Sequence, residues 1–348
     1  MKNMKTSEIY KEVDCFVVIL FFLGMALAFT CMCVNTERVA QDAFGLVNAD
    51  KCSMLHYLAM AVLDFLLVVY LFKLSISLKI AGYRSIVLVF FITAGASSFF
   101  IMVTPLFRFL IQLGCFLTVI MAMYYANTGK PGWAFWWWTV SIVFSPMHLF
   151  FVPVLFMLID AREKEQDVEF SFDKWIEKRL YWLLPGGMIA LCHIMLSFLG
   201  IGFKIQEIHE TNMKENLESL LHMPKMNENG MLSFDFFENM NFFVSSPIII
   251  VALIGLVFAH VKKDKNTVFV GWWIVFASVM YILFISSYAN LESWFYVNPY
   301  VMNLLPYYYL LLCMVIGKNK LGTTFCIPFL VFGVGLNFCG VFLAAVVW

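Results

Sequence analysis

Apolar runs about 20 residues long recur along the whole chain, separated by short breaks that are polar or basic. A run of that length lets an α-helix cross a hydrocarbon core ~30 Å thick. The pattern predicts nine full spans, at about 15–34, 54–74, 85–103, 106–125, 180–203, 242–261, 268–289, 300–316 and 321–348. A further run, 133–159 (WAFWWWTVSIVFSPMHLFFVPVLFMLI), is interrupted by Pro146 and Pro153. As one helix it would reach about 40 Å; as two arms meeting near Phe144-Ser145-Pro146, each arm reaches only about 20 Å. Charge chooses between them. Lys130 precedes the run, and Arg162, Lys164, Lys174, Lys178 and Arg179 follow it. Lys and Arg collect in short cytoplasmic loops, so both flanks belong on one side and the run is expected to enter and turn back. Irregular backbone at that depth needs other helices around it, which predicts a hairpin buried in a bundle.

The other breaks fix the remaining sides. Lys73, Lys79 and Arg84, then Lys262, Lys263 and Lys265, then Lys318 and Lys320 mark cytoplasmic ends, and the N-terminus falls on the same side. The segments 35–53, 204–241 and 290–299 are then external. The first span is read as an anchor, since its apolar stretch is long and no small-residue cleavage pattern follows it. Residues 160–179 carry Phe172, Trp175 and Ile176 at helical spacing beside basic residues, which predicts a short helix on the cytoplasmic surface. This linker and the hairpin divide the chain into an N-terminal half, 1–179, and a C-terminal half, 180–348.

Composition agrees with an all-α, polytopic helix bundle. The chain has 348 residues, 62% hydrophobic and 13% charged, with a mean hydropathy of +0.84, too apolar for a soluble domain of this size. The formal net charge is zero, which gives no reason to expect a nucleic-acid partner and leaves membrane lipid as the evident one. Most of the nine cysteines lie inside apolar runs, where they read as small buried hydrophobes.

Few ionisable residues interrupt the spans. Asp64 lies ten residues into the second run, about 15 Å deep by helical rise. A carboxylate there costs a few kcal/mol at least unless it is paired or protonated. Three readings are open: a proton or ion relay, a support for a polar cavity, or a neutral or hydrogen-bonded acid that locks two helices, with His193 or Arg108 as its partner. His193, alone in its span, reads as a helix–helix hydrogen bond. Outside the membrane, Glu215, Glu218 and His222 share one helical face, but no metal-binding signature accompanies them.

Four stretches together resemble the GT-C class of membrane glycosyltransferases, which take sugars from polyprenyl-phosphate donors. They are the first span with its acid-bearing external loop (Glu37, Asp42), the Pro-broken run SIVFSPMHLFFVPVLFMLI, the segment NFFVSSPIIIVALIGLVF after a polar insert, and WFYVNPYVMNLLPYYYLLL near the C-terminus. The resemblance implies transfer of a sugar to a cell-envelope acceptor at the outer face of a membrane, which in this class is the bacterial inner (plasma) membrane. It implies a carboxylate that deprotonates the acceptor hydroxyl or holds a divalent ion, the one cofactor in view. Asp42 is the first candidate and Glu37 the second. Arg38, Lys51, Arg108 and Lys204 are the candidates for the donor phosphate, and Trp294, Tyr296 and Tyr300 for contact with the sugar or lipid. The chain departs from the class in two respects. Its acids stand five residues apart rather than as a close pair, and Pro299 precedes Tyr300 where the class often has Arg. Two other functions therefore stay open: a proton-coupled transporter built on Asp64, His148 and His193, and a non-catalytic membrane partner that keeps the fold.

The hairpin has a direct topological consequence. With Glu165→Cys as the single accessible thiol, an impermeant maleimide added outside intact cells should leave it unlabelled and should label it after permeabilisation. Labelling from outside would mean that 133–159 crosses the membrane once.

Overall fold

The computed structural model describes residues 17–29, 31, 54–103, 107–165, 172–198, 217, 225–226, 232–233, 242–286, 299–317 and 320–342. These are helical apart from loops and one two-residue antiparallel pair, β1 (Lys225–Met226) with β2 (Leu232–Ser233). The helices, in order, are α1 (Val17–Phe29), α2 (Met54–Ser77), α3 (Gly82–Thr93), α4 (Ser98–Val103), α5 (Phe107–Asn127), α6 (Pro131–Phe144), a 3-10 turn (Pro146–Phe151), α7 (Val152–Glu165), α8 (Phe172–Phe198), α9 (Phe242–Ser245), α10 (Pro247–Val261), α11 (Lys265–Ser286), α12 (Pro299–Met302), α13 (Leu305–Gly317) and α14 (Lys320–Phe342).

Among the described residues four segments are long and apolar enough to cross a membrane: Met54–Ser77, Leu110–Asn127, Lys265–Ser286 and Gly322–Cys339. Four shorter apolar helices, α1, α3, α10 and α13, accompany them. Besides the run 300–316, which turns at Asn303–Leu304 between α12 and α13, two expected spans are interrupted. The run 85–103 breaks at Ala94–Ser97 between α3 and α4, and the run 242–261 breaks at Ser246 between α9 and α10. The second break has a plain cause, because a residue before proline is pushed out of the helical region. Ser246 has φ −130° and ψ 67°. Ser145, before Pro146 at the end of α6, is extended for the same reason, at φ −149° and ψ 110°. The linker also differs from expectation: the short surface helix and the following span are one helix, α8, which continues through Pro185.

Contacts set the directions. Asn127 Nδ2 donates to Ser77 Oγ at 2.9 Å, and the hydroxyls of Tyr70 and Tyr125 lie 3.2 Å apart. Gly317 packs on the Leu78 carbonyl, and the Tyr309 hydroxyl donates to the Leu71 carbonyl at 3.0 Å. Thus α2, α5 and α13 are parallel and end together. That end carries Lys73, Lys79, Lys130, Lys262, Lys263 and Lys265 and is called the basic end below.

The run 133–159 reverses direction. The Phe135 and Phe156 rings are 5.5 Å apart between centroids, and the Trp138 indole N–H reaches the His148 carbonyl at 3.2 Å. A continuous helix would hold Phe135 and Phe156 about 30 Å apart. The next helix, α8, lies parallel to α6, with Trp182 against Gly132, Gly186 against Trp138 and His193 against Val143. The end of α7 and the start of α8 therefore both lie toward the basic end. One continuous apolar core runs from Val18 to Cys326 and includes the hairpin residues Phe135, Trp138, Phe151 and Val154. Cys313 and Cys326 are buried within it, as expected of small hydrophobes, and Cys115 is buried too, but Cys31 and Cys192 are exposed and Cys339 is half-buried.

The two interrupted helices meet α14. The Ser97 and Ser246 hydroxyls are 2.6 Å apart, and Ser246 Oγ also accepts from the Ser97 N–H at 3.2 Å. Asn337 Nδ2 donates to the Ser245 carbonyl at 3.0 Å. Gly333 lies against the Gly95 carbonyl so closely that no Cβ fits between them. Gly333→Val should therefore lower the melting temperature of the detergent-solubilised protein, with a cost of about 1–3 kcal/mol or more from overpacking. Gly335→Val, on the same helix with open space around it, should leave the melting temperature within a degree or so. Equal effects would mean that the Gly95–Gly333 crossing is not a packing constraint.

Candidate functional site

Helical rise places the polar interruptions of the bundle in one layer. Counted from the basic end, Asp64, Ser97, Cys115, Ser145, Ser246, Tyr281 and Asn303 all lie about 18–24 Å along their helices. The hairpin tip sits in this layer, and the polar side chains around it form the candidate site.

His148, on the 3-10 turn, is buried. Its Nε2 is 3.1 Å from Cys115 Sγ on α5, and its Nδ1 is 2.8 Å from the Tyr307 hydroxyl on α13. Neutral imidazole has one N–H and one bare nitrogen. The three groups therefore support two arrangements. In one, Tyr307 donates to Nδ1 and Nε2–H points at sulfur; in the other, Cys115 donates to Nε2 and Nδ1–H points at the phenol oxygen. Phe151, on the same turn, stacks on the Tyr307 ring at 3.7 Å with 11° between planes. The backbone of the turn is satisfied from two sides. Its His148 carbonyl accepts from Trp138, and its Phe150 carbonyl accepts from the Trp273 indole at 3.3 Å.

One helical turn further from the basic end is a second rung. Gln112 Nε2 donates to Asn303 Oδ1 at 3.2 Å, and Asn303 Nδ2 donates to the Tyr281 hydroxyl at 3.1 Å. Gln112 and Cys115 are three apart on α5, while Asn303 and Tyr307 are four apart across the turn into α13. Such spacings keep side chains on one face. The two rungs thus form a polar column between α5 and α13, with the hairpin tip at its base. Continuing the register outward, Arg108 precedes Gln112 by four residues and Tyr300 precedes Asn303 by three. Their backbones lie at the end of the column away from the basic end.

Two candidates from the sequence, Arg108 and Tyr300, are thus brought to neighbouring helices. Glu37, Arg38, Asp42, Lys51, Lys204, Trp294 and Tyr296 lie outside the described residues. Asp64 is fully buried, and neither of its oxygens has a hydrogen-bond partner among the described residues. This corrects the expected lock to His193, whose Nε2 is instead 3.1 Å from the Val143 carbonyl. Asp64, His148 and His193 do not share a hydrogen-bonded centre, since His148 bonds to Cys115 and Tyr307. Among the described residues no group of three His, Cys, Asp or Glu could hold a metal ion.

Sequence reasoning missed Gln112, Asn303, Tyr281 and Tyr307, and considered His148 only as part of a transporter. A signal existed: Gln112 and Asn303 are the lone amides of the apolar runs 106–125 and 300–316. Comparison with protein-family models, with curated proteins and with solved structures gives no match.

His148 and Tyr307 should be energetically coupled. Tyr307→Phe should lower stability by about 1–3 kcal/mol because it leaves a buried imidazole nitrogen without its partner. His148→Phe should also destabilise, and the double variant should cost less than the sum. Reversible unfolding in mixed detergent micelles measures the cycle, and strict additivity would show that the pair does not interact.

Proposed function

We propose that the protein is a multi-pass membrane glycosyltransferase of the GT-C kind, moving a sugar from a polyprenyl-phosphate donor to a cell-envelope acceptor at the external face. In this reading the chain makes nine spans plus a re-entrant hairpin, with the N-terminus, the basic end and both hairpin flanks in the cytoplasm of a bacterial cell. The polar column carries the reading. It supplies uncharged donors and acceptors, Gln112, Asn303 and Tyr281, of the type that recognises sugar hydroxyls. Its outward continuation carries Arg108, of the type that pairs with phosphate, and Tyr300, whose ring suits a sugar face. Irregular backbone within a membrane is tolerated where it is buried in protein or lines a water-filled cavity. A hairpin tip at the base of a polar column fits that role as the floor of an external site.

The chemistry needs a base from an external segment. Asp42, with Glu37 second, takes the proton of the acceptor hydroxyl. The freed oxygen attacks the anomeric carbon, and the bond from that carbon to the phosphate oxygen breaks, releasing polyprenyl phosphate. Arg108, aided by Arg38, Lys51 or Lys204, stabilises the charge left on the phosphate. Trp294 and Tyr296 contact the lipid or the sugar. The spacing of the two acids keeps the non-catalytic partner as the second reading, since such a relative would retain the column without the base.

Mass spectrometry of surface glycans and lipid-linked sugars decides between them. Deleting the protein should remove one glycan feature and accumulate its lipid-linked precursor. Asp42→Asn should reproduce that loss, with a rate decrease of about 10²–10⁴, while membrane insertion is unchanged. Glu37→Gln should act more weakly. A deletion phenotype that Asp42→Asn fully restores would leave the partner reading in place of the enzyme.

A further inference from the structure

Asp64 is an ionisable group that the polar column does not use, and its surroundings are unusual. It lies on the buried stripe of α2 with Met60, Leu67, Val68 and Leu71. None of its surface is exposed, and neither carboxyl oxygen has a hydrogen-bond partner among the described residues. An ionised carboxylate without partner or water is among the costliest groups to bury, and real proteins neutralise it instead. The neutralising species has to be identified from what packs around α2.

Among the described elements, those that pack most on α2 are α3, α5 and α13, with α1 touching it through Phe22 and Phe72. Helix α1 has no titratable residue. In α3 these residues are Tyr83 and Arg84, both in the first turn at the basic end, about 20 Å from the level of Asp64. The Arg84 guanidinium lies 5.8 Å over the Tyr83 ring. In α5 they are Arg108, Cys115, Tyr124 and Tyr125, with the backbone of Arg108 about 10 Å further out than Cys115. Cys115 is held by His148 and Tyr125 by Tyr70. In α13 they are Tyr307, Tyr308, Tyr309 and Cys313, of which Tyr307 bonds His148 and Tyr309 the Leu71 carbonyl. On α2 itself, Lys73 sits 4.9 Å over the Tyr70 ring, and His56 and Tyr57 are two turns outward. Among the described side chains no cation bonds the carboxyl; the Arg108 guanidinium lies outside them.

The same level of the bundle contains a break in a helix that packs on α2. Helix α3 is interrupted at Ala94–Ser97, at about the height of Asp64, and this break is held by the Ser97–Ser246 bond and the Gly95–Gly333 contact.

From this arrangement we infer that Asp64 is a proton-exchange site: it carries a proton in the closed bundle and releases it when the outer part of α2 separates from α3, α5 and α13 and water enters. The closed structure is then the acid form. Release of the proton is coupled to opening, so a rise in pH favours the open form by up to about tenfold per pH unit. The inference is independent of the transferase reading, and its test does not measure sugar transfer.

Two carbodiimides test it on the full-length protein in detergent. A carboxylic acid adds across a carbodiimide C=N bond, its proton going to nitrogen and its oxygen to carbon, and the O-acylisourea rearranges to a stable N-acylurea. Only the protonated acid reacts. At about pH 8, an ordinary exposed carboxyl is protonated in roughly one molecule in 10⁴. The hydrophobic reagent dicyclohexylcarbodiimide should therefore modify Asp64 at pH 8 while leaving solvent-exposed carboxyls unmodified. Peptide mass spectrometry locates the adduct, and Asp64→Asn should lack it. A water-soluble carbodiimide should modify the same residue slowly, because it enters only through the open form. Added Na⁺ should not protect it. Absence of the hydrophobic adduct would overturn the proposal by showing an ionised or paired Asp64. Protection by Na⁺ would overturn it in favour of a metal-cation site. Complete resistance to the soluble reagent would overturn it by showing a sealed acid that never exchanges. If Asp64→Asn does not fold, fragment-ion assignment on the wild-type peptide replaces it as the control.

Discussion

A helix that stops inside an apolar bundle leaves backbone carbonyls and N–H groups with no water to satisfy them, and the architecture depends on how this chain meets that requirement at the hairpin tip. Between Ser145 and Phe151 the regular ladder is lost, and two indoles replace it. Trp138, on the descending arm, takes the His148 carbonyl, and Trp273, on α11, takes the Phe150 carbonyl. The side chains of the turn are used as fully: His148 spans Cys115 and Tyr307, and Phe151 stacks on Tyr307. The turn is therefore fastened to α5, α11 and α13 at once, and helices from the two halves of the sequence share one core.

The second pair of interruptions follows the same logic with smaller groups. Ser97 and Ser246 bond to each other across the break in α3–α4 and the break in α9–α10, and Asn337 takes the Ser245 carbonyl. Close approach requires that Gly333 have no side chain facing Gly95. Serine, asparagine and glycine suffice here because the interruption is short. The longer hairpin turn needs tryptophan, histidine and tyrosine, whose polar atoms reach across a wider gap while their rings fill it.

These satisfied interruptions contrast with Asp64, which lies in the same layer and has no such partner among the described residues. A structural acid would be expected to follow the local rule and bond to a neighbouring helix. The departure from that rule, in a bundle that otherwise satisfies its polar groups at this depth, marks Asp64 as a group with a separate purpose.

The sequence by itself determined the helical, membrane-type class of the chain, through apolar runs of spanning length, and it determined where helices stop. Ser145-Pro146 and Ser246-Pro247 are local signals, because the clash before a proline ring depends on adjacent residues alone. The reversal of 133–159 was also legible, since basic residues on both flanks oppose a crossing. The Ala94–Ser97 interruption and the continuity of α8 through Pro185 were not, because each depends on neighbouring helices. The same limit applies to the site. Arg108 and Tyr300 were identified as residue types, but nothing in their spacing indicated that α5 and α12–α13 are adjacent. Gln112 meets Asn303 across 191 residues and His148 meets Tyr307 across 159. Which lone polar residue faces which is fixed by the rotation and depth of packed helices, and those are settled only when apolar surfaces interlock throughout the tertiary structure.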